Sequence, residues 1–157
     1  MLNKNFYLTK DGFKQLKAEL KQLKKEKRPK LIKRVALARS FGDLSENSEY
    51  TASREELSFT EGRINELEGL IKKAKVIRNT GKKSGSNQVQ LGCKVTVKVN
   101  GKKHTYEIVG EWEADPLQKK ISHTSPLGKA LLNKKKGDKI AIEVPAGKVN
   151  YHIQKIH

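Results

Sequence analysis

Two carboxylates, Asp43 and Glu46, stand three residues apart in a short polar segment and are the side chains of this chain best suited to chemistry. Mg²⁺ in proteins commonly takes one or two carboxylates and leaves its other positions to water and phosphate oxygens. The same spacing fits a capping box, in which Asp43 caps a following helix and Glu46 reaches back to its first residue. From the spacing alone capping is the favoured interpretation, because helix caps are far commoner than metal sites. If the following helix has already begun at Asp43, the two side chains share one face.

The charge around this pair reverses along the chain. Between Lys14 and Arg39 there are eleven basic residues and only two acidic ones, so this stretch should follow phosphates. From Ser40 to Gly62 there are six acidic residues, opposed only by Arg54. Carboxylates at the end of a basic stretch repel the polyanion that the rest attracts. They therefore require a partner of their own, either a divalent cation or the helix amides.

Two apolar series with helical spacing must position the acidic segment. The first runs from Thr9, which can cap a helix, to about Arg39, and the second continues to about Ile77. In the first series the apolar seam slips by one position after Leu23 and resumes at Leu31, with Pro29 inside the slip. The seam residues are Phe13, Leu16, Leu20, Leu23, Leu31, Val35 and Ala38 in the first series, and Tyr50, Leu57, Ile64, Leu67, Ile71 and Ala74 in the second.

The stretch Ser40–Glu49 between the two series is rich in residues that prefer turns and caps. Two helices joined by a short connection form an antiparallel hairpin. Each arm has about 30 residues, which at 1.5 Å per residue gives a protruding rod of about 45 Å. Asp43 would then lie at the far tip of the rod.

Residues 79–88 form a polar linker. After it, the spacing of apolar residues changes from the helical three or four to the alternation of a strand. Cys93–Val99 alternates like a half-buried strand, and Asn100-Gly101 forms a two-residue turn into His104–Val109. Pro126–Leu132 suits a short helix, and Lys139–Val144 and Tyr151–Ile156 alternate again. The predicted fold class is α+β, with a helical hairpin over 1–78, the linker over 79–88 and a small α+β domain over 89–157.

Composition excludes several classes of protein. The chain has 157 residues, of which 34 are Lys or Arg and 17 are Asp or Glu, for a net charge of +17. Such a surplus draws a protein to nucleic acid or to a nucleic-acid machine. The single cysteine, Cys93, excludes an internal disulfide and a cysteine-rich zinc module. No segment has the length or composition of a membrane helix or a signal peptide, so we expect a cytoplasmic protein.

The segment Gly42–Tyr50, followed by Glu61-Gly62-Arg63-Ile64, closely resembles the Gre family of bacterial transcript-cleavage factors. The similarity continues through Tyr106–Gly110, Glu113–Pro116 and Ser125-Pro126-Leu127, and it spans nearly the whole chain. The resemblance implies an N-terminal coiled-coil hairpin and an FKBP-like C-terminal domain. It also implies a partner, RNA polymerase, whose secondary channel the hairpin enters while the globular domain docks at the channel rim.

The resemblance further implies that the protein stimulates the polymerase's own cleavage of the RNA 3′ end in backtracked complexes. By motif match Asp43 and Glu46 are the catalytic pair, and they would complete the second Mg²⁺ site of the polymerase. We expect this chain to bind no cofactor by itself. Either carboxylate could also orient or deprotonate the attacking water. Other partners are the nascent RNA 3′ end and nucleic acid within the elongation complex; we expect no membrane partner and a monomer.

Further candidate residues fall into three groups. Residues expected to shape the tip are Gly42, Leu44, Ser45, Asn47, Glu49 and Tyr50, where Glu49 favours the first turn of the second helix through its dipole. Residues expected to contact RNA or the channel are Arg28, Lys33, Arg34, Arg39 and Arg54, although a basic helix face is usually only solvated. Residues expected to dock on polymerase are Ser122, Thr124, Ser125 and Pro126, where Thr124 replaces the Asp or Asn of many relatives.

Two other functions remain open at this stage. One is a channel-binding paralogue that inhibits polymerase without stimulating cleavage, for which Asp43 and Glu46 need not be retained. The other is a basic coiled coil that binds RNA or the ribosome through its first arm.

Overall fold

The structure, a computed structural model, describes residues 6–77 and 87–157. They form two compact units. One unit is Phe13–Ala74, and the other combines the described residues up to Gly12 with those from Lys75 to His157. Most of the predicted linker, residues 79–86, lies outside the described residues, so the division at 79–88 stays a prediction.

The two predicted helical arms are present, as is the connection between them. In chain order the elements are β1 (Phe6–Thr9), α1 (Lys10–Gln22), a π-helical segment (Leu23–Lys27), α2 (Arg28–Ser40), α3 (Ser48–Lys73) and β2 (Ala74–Ile77). Helices α2 and α3 pack together across a loop of seven residues. The predicted helical hairpin is therefore confirmed.

The π-helical segment explains the slip in the apolar seam. In a π-helix the hydrogen bond spans five residues instead of four, which inserts one extra residue into the helix. The backbone N–H of Arg28 donates to the carbonyl of Leu23, five residues earlier. This extra residue is what shifts the seam by one position, so that Leu31 and Ala38 are buried. Pro29 lies in the first turn of α2, directly after this segment, and has no backbone N–H to donate.

The prediction that the second helix runs to Ile77 is wrong. Helix α3 ends at Lys73, and Ala74–Ile77 is strand β2, which pairs with β1 in a two-stranded sheet. The β-branched residues Val76 and Ile77 favour extended backbone, and Phe6–Thr9 supplies a partner strand. The helical periodicity of the sequence did not reveal that partner.

The second seam buries two polar residues as well as apolar ones. Ile64 and Leu67 are buried as predicted, and Ser53 and Thr60 are fully buried at the intervening seam positions. The Ser53 hydroxyl donates to the carbonyl of Tyr50 at 3.1 Å. Among the described residues the Thr60 hydroxyl is the one buried side-chain polar atom without a hydrogen-bond partner.

The strand-rich unit contains one five-stranded sheet. Its elements are β3 (Lys94–Val99), β4 (Lys102–Val109), β5 (Lys120–Ser122), α4 (Pro126–Leu131), β6 (Lys139–Val144) and β7 (Gly147–Ile156). The strand order is β5-β4-β3-β7-β6, with only β4 and β5 parallel to each other. Asn100 and Gly101 both have positive φ, as the predicted two-residue turn between β3 and β4 requires.

One face of this sheet carries the hydrophobic core. Its buried residues are Val89, Val95, Val97, Ile108, Leu131, Ile140 and Ile153, against which Leu127 and Ala130 of α4 pack. The predicted strands and the predicted short helix are all present. The expectation of an α+β unit is therefore confirmed.

Glu113 connects strand β1 to the rest of the strand-rich unit. Its carboxylate accepts hydrogen bonds from the backbone N–H of Thr9 at 2.9 Å, from the Thr9 hydroxyl, and from the N–H of Gly110 at 3.3 Å. The Thr9 hydroxyl oxygen in turn accepts from the N–H of Gly12 at 3.1 Å, which is the predicted cap of the first helix.

Across residues 6–77 and 87–157, none of the helices has the length and apolar character needed to cross a membrane.

Candidate functional site

The loop 41–47 between α2 and α3 holds both predicted catalytic carboxylates. The N–H of Phe41 donates to the carbonyl of Ala38 at 3.3 Å, which closes the last turn of α2. Gly42 follows with φ +97°, a left-handed conformation that a side chain would strain. This glycine turns the chain out of α2 and towards Asp43.

Asn47 joins the two helices across the loop. Its side-chain amide donates to the carbonyl of Ala38 at 2.7 Å, and its side-chain oxygen accepts from the N–H of Tyr50 at 3.0 Å. Asn47 is therefore the N-cap of α3 and also satisfies a carbonyl at the end of α2. The capping interpretation of Asp43 is wrong, because Asp43 lies four residues before the true N-cap.

Asp43 and Glu46 both lie in the loop and are exposed. The helix begins only at Ser48, so the condition for a shared helix face is not met. One carboxylate oxygen of Asp43 accepts from the hydroxyl of Ser45 at 2.8 Å and from its backbone N–H at 3.2 Å. Both bonds favour the charged carboxylate, the hydroxyl bond more strongly, and they lower the pKa of Asp43. Asp43 is thus ionised at neutral pH and held by its neighbour.

The other carboxylates of the acidic stretch mostly pair with the first arm. Glu49 accepts from Arg34 at 2.6 Å, Glu56 from Arg34 at 3.0 Å, and Glu61 pairs with Arg28 at 3.1 Å. The hydrogen bond from Arg34 and its charge lower the pKa of Glu49. Asp43 and Glu46 make no ion pair with any residue that the structure describes. The acidic stretch therefore contains three helix carboxylates that brace the hairpin, two loop carboxylates that face solvent, and Glu55, an exposed helix carboxylate without an ion pair in the described chain.

The basic arm is partly neutralised by the same contacts. Four of its eleven cations pair with glutamates of α3, namely Lys24, Lys27, Arg28 and Arg34. Two of the five predicted RNA or channel contacts, Arg28 and Arg34, are among them. Lys33, Arg39 and Arg54 are exposed and have no ion pair within 6–77 and 87–157.

The remaining predicted tip residues differ in exposure. Leu44 is exposed, whereas Tyr50 is half-buried where α3 begins. Glu49 lies in the first turn of α3, as expected. A surface cavity of about 550 Å³ adjoins them and is lined by Leu44, Ser45, Tyr50, Thr51, Arg54, Glu55 and Ser58. Sequence reasoning missed Thr51, Glu55 and Ser58, which recur at helical spacing on α3 and become neighbours only once the helix forms.

Two of the four predicted docking residues shape their own loop, and the other two are exposed. Ser122 is buried, and its hydroxyl is 2.7 Å from that of Thr124. The Ser125 hydroxyl donates to the carbonyl of Ser122 at 2.7 Å and accepts from the N–H of Gly128 at 3.0 Å, which makes Ser125 the N-cap of α4. Thr124 and Pro126 are exposed. Ser122 and Ser125 thus shape the loop, and Thr124 and Pro126 are the two of the four that a partner can reach.

The protein's own metal-binding capacity is small. No group of three or more His, Cys, Asp or Glu side chains suited to a metal occurs in the described part of the chain. Asp43 and Glu46 are oxygen ligands of the type that Mg²⁺ prefers, but two exposed carboxylates hold it weakly by themselves. The loop is therefore suited to completing a site whose other ligands come from elsewhere.

Two family models together match most of the chain. Residues 6–76 match the model described as "Transcription elongation factor, N-terminal", and residues 83–157 match "Transcription elongation factor, GreA/GreB, C-term". The first covers the helical arms and the loop between them, and the second covers the five-stranded sheet.

Curated relatives match over nearly their whole length. "Transcription elongation factor GreA" of Bacillus cereus is 45% identical over 152 residues, 96% of this chain and 95% of the relative. The protein of that name from Lactococcus lactis subsp. cremoris is 44% identical over 157 residues, 99% of each chain. Among solved structures, GreA factor homolog 1 of Thermus thermophilus matches 98% of this chain and 99% of its own at 29% identity, with a TM-score of 0.44.

Proposed function

Because this chain belongs to the GreA/GreB family of transcription elongation factors, we propose that it stimulates the endonucleolytic cleavage of RNA by bacterial RNA polymerase in backtracked or arrested complexes. The family is one of protein factors, and under this proposal the hydrolysis belongs to the polymerase. The helical hairpin enters the secondary channel, and the strand-rich unit docks at the channel rim through Thr124 and Pro126. The loop 41–47 then meets the RNA 3′ end at the active centre.

The observation that carries this proposal is that three helix carboxylates near the loop form ion pairs, whereas the two loop carboxylates form none with the described residues. Arg28 and Arg34 neutralise Glu49, Glu56 and Glu61 along the helices. Asp43 and Glu46 are left exposed and without an ion pair among the described residues, at the point where the chain reverses. Two unneutralised charges three residues apart in the same loop repel each other. A cation supplied by a partner would relieve that repulsion.

The side chains of the loop have distinct tasks under this proposal. Asp43 and Glu46 offer oxygen ligands to a Mg²⁺ that the polymerase also holds; such an ion stabilises charge on the attacking and leaving oxygens of phosphoryl hydrolysis. The lowered pKa of Asp43 keeps it charged, which suits a ligand better than a proton acceptor. The structure records no hydrogen bond to Glu46 within the loop. This carboxylate is therefore free to orient the attacking water.

Arg39 and Arg54 supply positive charge close to the loop. Both are exposed and unpaired within the described residues, in contrast to Arg34, which is held by two glutamates. We assign to Arg39 and Arg54 the contact with phosphates of the extruded RNA. Arg28 and Arg34 brace the hairpin instead.

The test is transcript cleavage by a purified backtracked elongation complex, with the intact protein compared to the double variant Asp43→Asn/Glu46→Gln. These substitutions keep the size of each side chain and remove its charge. We expect the variant to lose at least about 100-fold in the stimulated cleavage rate, the scale of a lost acid–base or ligand group. The control is Glu26→Gln, an exposed carboxylate of the π-helical segment without an ion pair in the described chain; it should retain full stimulation.

Binding must be measured in the same preparations. If the double variant binds polymerase as well as the intact protein and still stimulates cleavage fully, the role of the two carboxylates is wrong. If the intact protein binds and blocks RNA synthesis without cleavage, the inhibitory paralogue is favoured. If it binds free RNA but not polymerase, the RNA-binding alternative is favoured.

A further inference from the structure

The five-stranded sheet has one face that no other described element covers. The opposite face carries the hydrophobic core and α4. On the uncovered face, β3 presents Lys94, Thr96 and Lys98, which alternate with buried Val95 and Val97. We call this uncovered side of the sheet the outer face.

Three lysines and one histidine form a row across the outer face. Lys98 on the central strand is paired in register with Lys103 on β4 and with His152 on β7, and His152 is paired with Lys139 on β6. The row crosses four adjacent strands, which at about 4.8 Å per strand spans about 14 Å. Lys98 and Lys103 are like charges placed directly opposite each other, which destabilises a sheet. This pair therefore favours a negatively charged ligand that offsets the repulsion.

The rest of the outer face has the same sign. Its lysines are Lys94, Lys98, Lys103, Lys120, Lys139, Lys148 and Lys155, and its carboxylates are Glu107 and Glu143. The one ion pair recorded among these residues in the described chain joins Lys148 to Glu143 at 3.7 Å. Lys94, Lys98, Lys103, Lys139 and Lys155 are exposed. Seven lysines against two carboxylates leave this face with a net positive charge.

The ligand that fits this surface is a double-stranded nucleic acid. Proteins that bind single strands combine positive charge with aromatic side chains on which bases stack. No Phe, Tyr or Trp lies on the outer face of the described strands, since Tyr106 and Tyr151 face the core. A duplex hides its bases and presents phosphates. The major groove of B-DNA is about 12 Å wide, so the ends of a row of about 14 Å can meet phosphates on both sides of the groove.

We propose that the outer face of the five-stranded sheet is a non-specific binding surface for the phosphate backbone of duplex DNA, centred on Lys98, Lys103 and Lys155. It needs neither the carboxylates of the loop nor cleavage of RNA, and it stands apart from the proposed function. A duplex held there would anchor the factor beside the DNA of a transcribing complex.

The test uses the full-length protein and a fluorescently labelled mixed-sequence DNA duplex of about 25 base pairs, with anisotropy measured at about 50 mM salt and above. The variant is Lys98→Gln/Lys103→Gln/Lys155→Gln. The matched control, Lys14→Gln/Lys21→Gln/Lys25→Gln, removes the same charge from exposed lysines of the first arm and its π-helical segment. We expect the sheet variant to bind at least about tenfold more weakly, with the slope of log K against log salt reduced by about two to three. The control should change both by much less.

Three further measurements separate loss of charge from loss of folding and test the preference for a duplex. The variant Lys98→Arg/Lys103→Arg/Lys155→Arg retains the charge and should bind like the parent, and melting curves should show that all variants fold. A single-stranded RNA of equal length should compete more weakly than the duplex. Equal losses in the sheet and arm variants, or stronger competition by the single strand, would overturn the proposal.

Discussion

Replacing Asn47 with alanine should loosen the hairpin by an amount that its two hydrogen bonds set. Loss of an N-cap that accepts from Tyr50 costs about 1 kcal/mol. Loss of the amide donor costs less, about 0.5 kcal/mol, because the carbonyl of Ala38 also accepts from the N–H of Phe41. The total of about 1.5 kcal/mol corresponds to a melting temperature lower by about 8 °C for a unit of this size.

The assay is thermal unfolding followed by far-UV circular dichroism, since most of the helical residues that the structure describes lie between Lys10 and Lys73. Asn47→Asp separates the two bonds, because it keeps an acceptor for Tyr50 and removes the donor to Ala38. It should lower the melting temperature by only about 3 °C. Asn65→Ala is the control, an exposed asparagine within α3, and should leave the melting temperature unchanged or slightly raised. A melting temperature of Asn47→Ala within about 2 °C of the parent would refute the reasoning.

Three other changes follow from the structure. Thr60→Val should stabilise the hairpin by about 1 kcal/mol in urea unfolding, because it removes a buried hydroxyl without a partner and keeps the side-chain shape; a loss of stability would contradict that account. Gly128→Ala should destabilise the strand-rich unit by at least about 2 kcal/mol, because a Cβ there would lie 2.0 Å from the carbonyl oxygen of Ser122, whereas Gly69→Ala, with open space around it, should not. The pKa of Glu49 is lowered from its ordinary value of 4.5 by Arg34. The stability that this pair adds to the folded state is therefore fully present above pH 4.5 and is lost as the pH falls through the lowered pKa of the folded protein. Acid titration of the unfolding midpoint should therefore show a smaller loss below pH 4.5 in Arg34→Met than in the parent, and equal losses would contradict the pairing.

Local chemistry in the sequence was sufficient to predict much of the fold. Asn100-Gly101 requires the left-handed backbone that both residues adopt, Thr9 caps the helix that follows it, and Pro126 begins the predicted short helix. The slip after Leu23 was visible as a change of register, although its π-helical form was not. Each of these features depends on residues within about five positions of one another.

Features that depend on distant partners were missed. Asp43 and Asn47 are both good cap residues, and the choice between them depends on the carbonyl of Ala38, nine residues before Asn47. Strand β2 requires β1, and the bracing of Glu49, Glu56 and Glu61 requires the register of α2 against α3. The row of three lysines and His152 across the outer face requires the pairing of Lys98 with His152, which are far apart in the sequence. Periodicity reports the face of a single element and gives no information on its neighbour.

The central claim is that Asp43 and Glu46 supply ligands to a Mg²⁺ of the polymerase, and a magnesium titration of cleavage tests it most directly. The intact protein should lower the Mg²⁺ concentration that gives half-maximal RNA cleavage in a backtracked complex, and the polymerase-bound Asp43→Asn/Glu46→Gln variant should leave that concentration at the value for polymerase alone. The same lowering of the Mg²⁺ requirement by the intact protein and the variant would contradict the claim.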